Sequence, residues 1–386
     1  MDAERQSMNV DIACVGFGPA MGGFLTTLSR ALVKDDGSPA LDSRCMPGMP
    51  PQIICYERAD DISFGVSGVV TKAKAIRETY PGLKPEDVPM AMDIKKEKLI
   101  YLLDPIGASR RTGFHKYFDG LAKVAAKNHA IESPFIPGPM NKHGGMLFSI
   151  GQFNQWVGSQ LMGTGLTQLW PGTPVSEPLL TEDVVTGIRL ADQGVDKQGN
   201  PDAAFMPGMD INADLTVVGD GPVGSIGQQL DEHFGLPEKN ERKDWAVGMK
   251  VVVELPEHST LEPGTVLHTL GFPEPEIFGF LYVHPDRVAS LGIFIPSWFD
   301  NPARTSYRYL QHWMMHPYLW KDLKGGVLKS WGAKSLQESG KEGEPMLAGD
   351  GFARIGESSG STNIFLNSGV DEAWMTGILL GEAVTE

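Results

Sequence analysis

Apolar positions along this chain fall into two rhythms. One is a short, nearly unbroken run that ends in glycine or an acid. The other is the three-and-four spacing of an amphipathic helix. Residues 10–15 form a run of the first kind and predict a buried strand, and residues 21–32 follow with helical spacing. Residues 52–57 predict a second buried strand and residues 213–218 a third. A last strand is predicted at 352–355, and a closing helix at 370–384 after Asn367, Ser368 and Gly369. Helical spacing recurs at 114–126, at 149–162 (Phe153, Trp156, Val157 and Leu161 on one face) and at 307–316. A short strand at 167–169 is closed by Trp170, Pro171 and Gly172. Residues 184–190 and a partner reaching Ile211 predict a hairpin turned by residues 196–199. Residues 247–255, 265–270, 278–283 and 289–295 predict an antiparallel sheet. The stretch 33–51, rich in Asp, Gly, Pro and Ser, reads as a surface loop. Lys95, Lys96 and Lys98, with Arg110 and Arg111, read as solvated basic points.

The first strand runs into Gly16, Phe17 and Gly18, and the helix begins directly after. Strand, glycine turn and helix together bring backbone N–H groups and the positive end of a helix up to a pyrophosphate. A third glycine, due at position 21, is replaced by Met21. Gly22 and Gly23 follow it and predict close helix–strand packing in a shifted register. Glu57, at the tip of the second strand, stands where such units grip a ribose hydroxyl; read alone, it is equally a solvated strand-end carboxylate. A second strand–turn–helix element carries Gly219, Asp220 and Gly221, and a third loop spans residues 356–360. The predicted fold class is α/β. A Rossmann-like nucleotide-binding lobe returns three times along the chain, with a sheet-rich lobe inserted.

Composition narrows the function. The chain has 386 residues and a net charge of −15, which argues against nucleic acid and against broad electrostatic attachment to anionic lipid. The three cysteines, Cys14, Cys45 and Cys55, form no C-x-x-C pair, so this chain alone predicts no zinc or iron–sulfur site and no metal ligands. Their number fits a reducing, cytoplasmic compartment. The polar residues 1–9 predict no leader, and no apolar stretch has the length of a membrane span. His115, His143, His284 and His316 are scattered, and no catalytic triad is expected.

Three glycine-rich or acid-tipped strand ends suit a flavin dinucleotide. They occur with residues 136–144 (Ile136 through Asn141, Lys142, His143 and Gly144), 169–172, 271–273, 278–282, 313–317, 325–326, 331–333 and 355–377. Together these segments resemble the electron-transfer flavoprotein–ubiquinone oxidoreductase family, within the geranylgeranyl-reductase and aromatic-hydroxylase type of FAD fold. The resemblance implies bound FAD, an electron-transfer flavoprotein as donor and membrane quinone as acceptor. It divides the chain into an FAD-binding domain (1–60, 141–244 and 341–386) and a quinone- or substrate-binding domain (61–140 and 245–340). By position it assigns Gly16, Gly18, Pro19 and Ala20 to the pyrophosphate and Glu57 with Arg58 to the adenosine ribose. Ser149, Gly219, Asp220, Gly221, Gly356 and Glu357 go to the rest of the cofactor. Gly369 and Val370 would lie by the ring at a helix N-terminus. Phe278, Gly279 and Phe280 match the segment that lines the quinone pocket. Residues 277–281 and 294–299 are the apolar segments expected to hold the protein peripherally on an inner membrane.

The chain departs from the pattern at three places. Met21 replaces a glycine, Ser149 stands where relatives carry an arginine, and Glu357 replaces an aspartate. The family's cysteine-bearing cluster segment has no counterpart within these residues, which implies either a truncated chain or a cluster on a separate ferredoxin-like subunit. Two other readings stay open. One is a flavin-dependent reductase or monooxygenase acting on a lipid or small molecule; the other is a degenerate relative kept as a scaffold.

Overall fold

The structure, a computed structural model, describes residues 5–34, 36, 38–62, 65, 67–107, 109–237, 240, 244–299, 305–338, 340–362 and 369–386. The first sheet has eight strands. Its middle is parallel and runs Phe352–Arg354, Asp210–Val218, Ser7–Val15, Ile53–Tyr56, Thr167–Trp170 across the sheet. These strands are apolar on both faces because both faces are covered. Ile12, Cys14, Ile53, Cys55 and Val217 pack under the helices Pro19–Ala31, Ile150–Thr164 and Gly369–Thr385. Ala13, Val15, Ile54, Tyr56 and Val218 face the strands Val175–Thr181 and Val184–Leu190 and the helix Ser225–Phe234.

The opening and closing helices cross at backbone distance. A Cβ on Gly23 would lie 2.4 Å from the Trp374 carbonyl oxygen, and one on Gly377 would lie 2.0 Å from that of Ala20. Gly22 meets the Trp374 ring in the same way. This corrects the expectation for Gly22 and Gly23, which seat a helix and not a strand. Met21 instead reaches the end of the third parallel strand. Its Cε lies 3.1 Å from where Gly219 would carry a Cβ, so Gly219 makes the room Met21 takes.

The hairpin expectation also changes. Val184–Leu190 pairs antiparallel with Val175–Thr181, and its residues 187–189 meet residues 210–212. The turn at 196–199 belongs to a separate ribbon of Gln193–Val195 and Pro201–Met206.

The second sheet has seven strands in the order Val327–Gln337, Trp245–Glu254, Val288–Pro296, Phe278–Val283, Thr265–Leu270, Lys96–Leu102, Ala130–Glu132. It is antiparallel except where Lys96–Leu102 joins Thr265–Leu270 in parallel. Lys96 and Lys98 of the basic run are therefore part of a strand, with Lys95 exposed just before it. Lys98 pairs with Glu132 across the sheet edge. A small sheet of Gly68–Thr71, Met146–Ser149 and Met92–Asp93 lies between the two larger ones. It draws strands from both sides of the boundary placed at 140/141. One face of the second sheet packs on it through Val266, Phe280 and Tyr282 against Val70, Ile94 and Leu147. The other face packs on the helices Ser306–Met314 and Pro317–Leu323 through Leu281, Leu291, Trp313 and Leu319.

Candidate functional site

The chain leaves Ser7–Val15 to one side for Ile53–Tyr56 and returns on the other side with Asp210–Val218. That reversal of strand order opens a crevice at the carboxyl ends of the strands, where α/β sheets bind their ligands. Gly16 sits at its floor with φ +81°. Its N–H donates to the Tyr56 carbonyl at 2.8 Å, and a Cβ would stand 2.8 Å from the Gly219 carbonyl oxygen. Gly16 is thus glycine for protein reasons alone.

Gly18 differs. It is the N-cap of the opening helix in extended backbone, no side chain caps that helix, and Pro19 fills its first turn. Among the described residues, its chain neighbours and its own helix backbone apart, no protein atom lies within 4 Å of where its Cβ would be. An uncapped helix end above open space is what a phosphate group requires. Beside it, Glu57 Oε2 accepts the Phe17 N–H at 2.8 Å and Oε1 accepts the Ala59 N–H at 2.8 Å. The carboxylate is held at the turn by these two bonds and is half-buried, while Arg58 is exposed. Gly356, at φ +65°, donates its N–H to Thr376 Oγ1 at 2.8 Å, and its Cβ would stand 2.8 Å from that of Ala20. The third loop thus closes onto the start of the opening helix.

The second glycine turn is built for a different job. Asp220 Oδ2 accepts the N–H groups of Ile226 and Gly227 at 3.0 and 3.2 Å and so caps its own helix. Burial pushes the Asp220 carboxyl up to about 6, and Oδ1 has no hydrogen-bond partner. Gly219 backs onto Gly16. Next to this turn a polar cavity of about 180 Å³ is lined by Gly221, Asp231, Trp245, Gln337, Arg354 and Glu357. Sites for small molecules run to roughly 300–1,000 Å³, so this cavity by itself is too small for a dinucleotide. Arg354 lies 2.7 Å from Asp231 there.

Ser149 stands immediately before Ile150–Thr164 and caps it with no side-chain hydrogen bond. Glu357 is paired with Lys334. Gly369 and Val370 begin the closing helix, but Asn367 and Ser368 lie outside the described residues. Asp371 and Glu372 occupy the first turn of that helix. Asp371 accepts the Lys74 N–H at 3.1 Å and so caps the start of the neighbouring helix Lys74–Thr79.

Phe278 and Phe280 share the face of the second sheet turned toward the small sheet, with Phe294 stacked near both. Gly279 points to the other face, where a Cβ would strike Trp313 Nε1 at 2.6 Å. It therefore makes room for Trp313 and does not line the same surface. Residues 278–281 lie in a strand, and Ile277, Phe280 and Leu281 are buried, as is Ile295. The first expected attachment segment is thus largely core, while in 294–299 only Ile295 is buried and Trp298 is 47% exposed.

Sequence reasoning missed the surface that is apolar. The helix Gly113–Ala122 buries only Asp119, which meets Arg111 at 2.7 Å. Its outer face carries Phe114 (75% exposed), Tyr117 (69%), Phe118 and Leu121. Arg111 is buried, donating to the carbonyls of Leu102 and Gly271, and Arg110 lies over the Phe299 ring at 4.1 Å. Arg111 is therefore not a solvated basic point, whereas Arg110 is exposed as expected. The 3–4 spacing of residues 114–121 was available as a signal, but spacing does not say which face turns inward.

A family profile described as ETF-QO, ubiquinone-binding, matches residues 245–336, the larger part of the second sheet. The probable electron transfer flavoprotein-ubiquinone oxidoreductase of Acinetobacter baylyi is 26% identical over 99% of this chain and 62% of its own length. The electron transfer flavoprotein-ubiquinone oxidoreductase of Pseudomonas aeruginosa is 27% identical over 99% of this chain and 64% of its own. The chain therefore spans under two thirds of these relatives. Among solved structures, a geranylgeranyl bacteriochlorophyll reductase-like protein from Thermoplasma acidophilum superposes with a TM-score of 0.66, covering 98% of this chain and 78% of that one at 13% identity.

Proposed function

We propose that this chain, a relative of the electron transfer flavoprotein-ubiquinone oxidoreductases along its whole length, is an FAD-dependent oxidoreductase that passes electrons from an electron-transfer flavoprotein toward membrane quinone. The observation that carries the reading is the open space at Gly18 beneath an uncapped helix, next to a carboxylate held at the strand tip. These residues fit the dinucleotide. The helix end and Gly18 receive the pyrophosphate, Glu57 accepts a ribose hydroxyl, and the Gly356 loop closes over the chain that follows. Met21 does not obstruct the fit, because Gly219 accommodates it.

Bound FAD supplies two-electron storage and release in single-electron steps. The protein's part is to hold the ring between two lobes and to keep water out. Phe278, Phe280 and Phe294 provide an apolar, aromatic patch on the second sheet, which suits a quinone ring. Among the described residues no helix is long and apolar enough to cross a membrane. Access to quinone is assigned to the exposed apolar face of Gly113–Ala122, which would lie on the bilayer surface.

The test is the visible spectrum of the purified protein, release of its pigment by acid, and then anaerobic reduction by reduced electron-transfer flavoprotein with reoxidation by a short-chain ubiquinone. Released FAD with turnover in both half-reactions is the expected result. A protein that takes up no FAD overturns the proposal. One that holds FAD but consumes NAD(P)H directly on adding an organic substrate is the reductase or monooxygenase instead.

A further inference from the structure

Lys250 lies in the middle of the strand Trp245–Glu254, opposite Gly292, which is itself opposite Phe280. Residues directly opposed in an antiparallel sheet share a face. Lys250 therefore stands on the lobe-to-lobe face with Phe280, and its Cε lies 3.5 Å from where Gly248 would carry a Cβ, beside the Phe294 ring. Its ammonium donates to Ser67 Oγ. The Ser67 carbonyl in turn accepts the N–H of Ile150, the first residue of the helix behind Ser149, at 2.9 Å. The charges acting on Lys250 are Lys334, on the strand Val327–Gln337, and Glu357, in the Gly356 loop, and those two are paired with each other. The ammonium thus stands near two parts of the proposed FAD crevice, the helix behind Ser149 and the Gly356 loop. Among the described residues no carboxylate is paired with it.

A buried, unpaired ammonium is costly unless something answers its charge. Desolvation, its largest burden, pushes Lys250 down to about 8. The other positive pole at the crevice, the N-terminus of the closing helix, already has Asp371 and Glu372 in its first turn. We infer that Lys250 is the cation that faces the redox ring between the lobes and favours its reduced, anionic form. The inference rests on the FAD reading above.

The experiment is the reduction potential of FAD-loaded wild type, K250M and K250R, measured against a reference dye. Loss of the charge in K250M is expected to weaken binding of reduced relative to oxidised FAD about tenfold, which lowers a two-electron potential by about 30 mV. K250R keeps the charge and stays near the wild-type value. K250M keeps its FAD and melts no lower than wild type, because methionine fills the same space without a buried charge. K250Q repeats the test if K250M does not fold. An unchanged potential in an FAD-loaded, neutral variant overturns the inference. A wild-type protein that takes up no FAD overturns the FAD reading and this inference with it, and is distinguished because no variant then yields a potential.

Discussion

Gly16 and Gly18 are two residues apart and are glycines for different reasons. Gly16→Ala places a Cβ at positive φ and 2.8 Å from the Gly219 carbonyl oxygen. It should cost about 1–3 kcal/mol in the protein without ligand. Gly18→Ala meets no protein atom within 4 Å among the described residues beyond its own neighbours. Its stability should stay within about 1 kcal/mol of wild type, while FAD affinity falls at least tenfold. Denaturant midpoints of the ligand-free variants, followed by FAD titration, separate the two. A Gly18→Ala protein as unstable as Gly16→Ala would remove the argument that this space belongs to a ligand. Both glycines were legible in the sequence, because a strand–glycine–helix pattern is local. Lys250 was not legible, since a lysine among valines has no assigned face until the register with Gly292 and Phe280 is known.

The helices and strands that could be read from the sequence were those whose apolar pattern answers to one partner. Lys96–Leu102 was lost to its polar start, although Ile100 and Leu102 are fully buried and the strand pairs in parallel with Thr265–Leu270. The buried histidines show the same limit, because their roles depend on distant elements. His316 precedes Pro317–Leu323; its Nδ1 accepts the Tyr318 N–H at 3.2 Å and its Nε2 donates to the Leu103 carbonyl at 3.0 Å. His284 joins Met90 to Ser290, donating through Nδ1 and accepting at Nε2. Burial pushes each down to about 4 from an ordinary value of 6.5. Between those values the unfolded chain takes up protons that the folded one does not, so these groups destabilise the protein as pH falls from about 6.5 toward 4 and are neutral above it. Each is expected to contribute about 2–3 kcal/mol of that loss. Urea midpoints at pH 7 and pH 4.5 check it. His316→Gln, whose amide also accepts and donates, should flatten the acid fall. An equal fall in wild type and variant would refute the assignment.

For the whole molecule, charge and apolar surface have to be read by place and not by sum. The net charge of −15 argued against anionic lipid, yet one face of the molecule carries the opposite balance. Around the exposed Phe114, Tyr117, Phe118 and Leu121 stand Lys116, Lys123 and Lys127, all exposed, and Val124 is 92% exposed. The Arg111–Asp119 pair anchors the polar side of the helix inward and so commits the apolar side outward. Such a face lies in the headgroup layer with its rings in the acyl boundary, and each nearby lysine adds about 1 kcal/mol on an anionic surface. The protein should therefore float with vesicles containing anionic lipid at low salt, bind zwitterionic vesicles more weakly, and release as ionic strength rises. Phe114→Ser, Tyr117→Ser and Leu121→Ser together should abolish flotation without altering the melting temperature or FAD content, since none of the three is buried. They should slow electron delivery to long-chain quinone in vesicles while leaving a water-soluble quinone untouched. If the triple variant floats as well as wild type, this face does not hold the bilayer, and delivery of electrons to membrane quinone has to come from another surface.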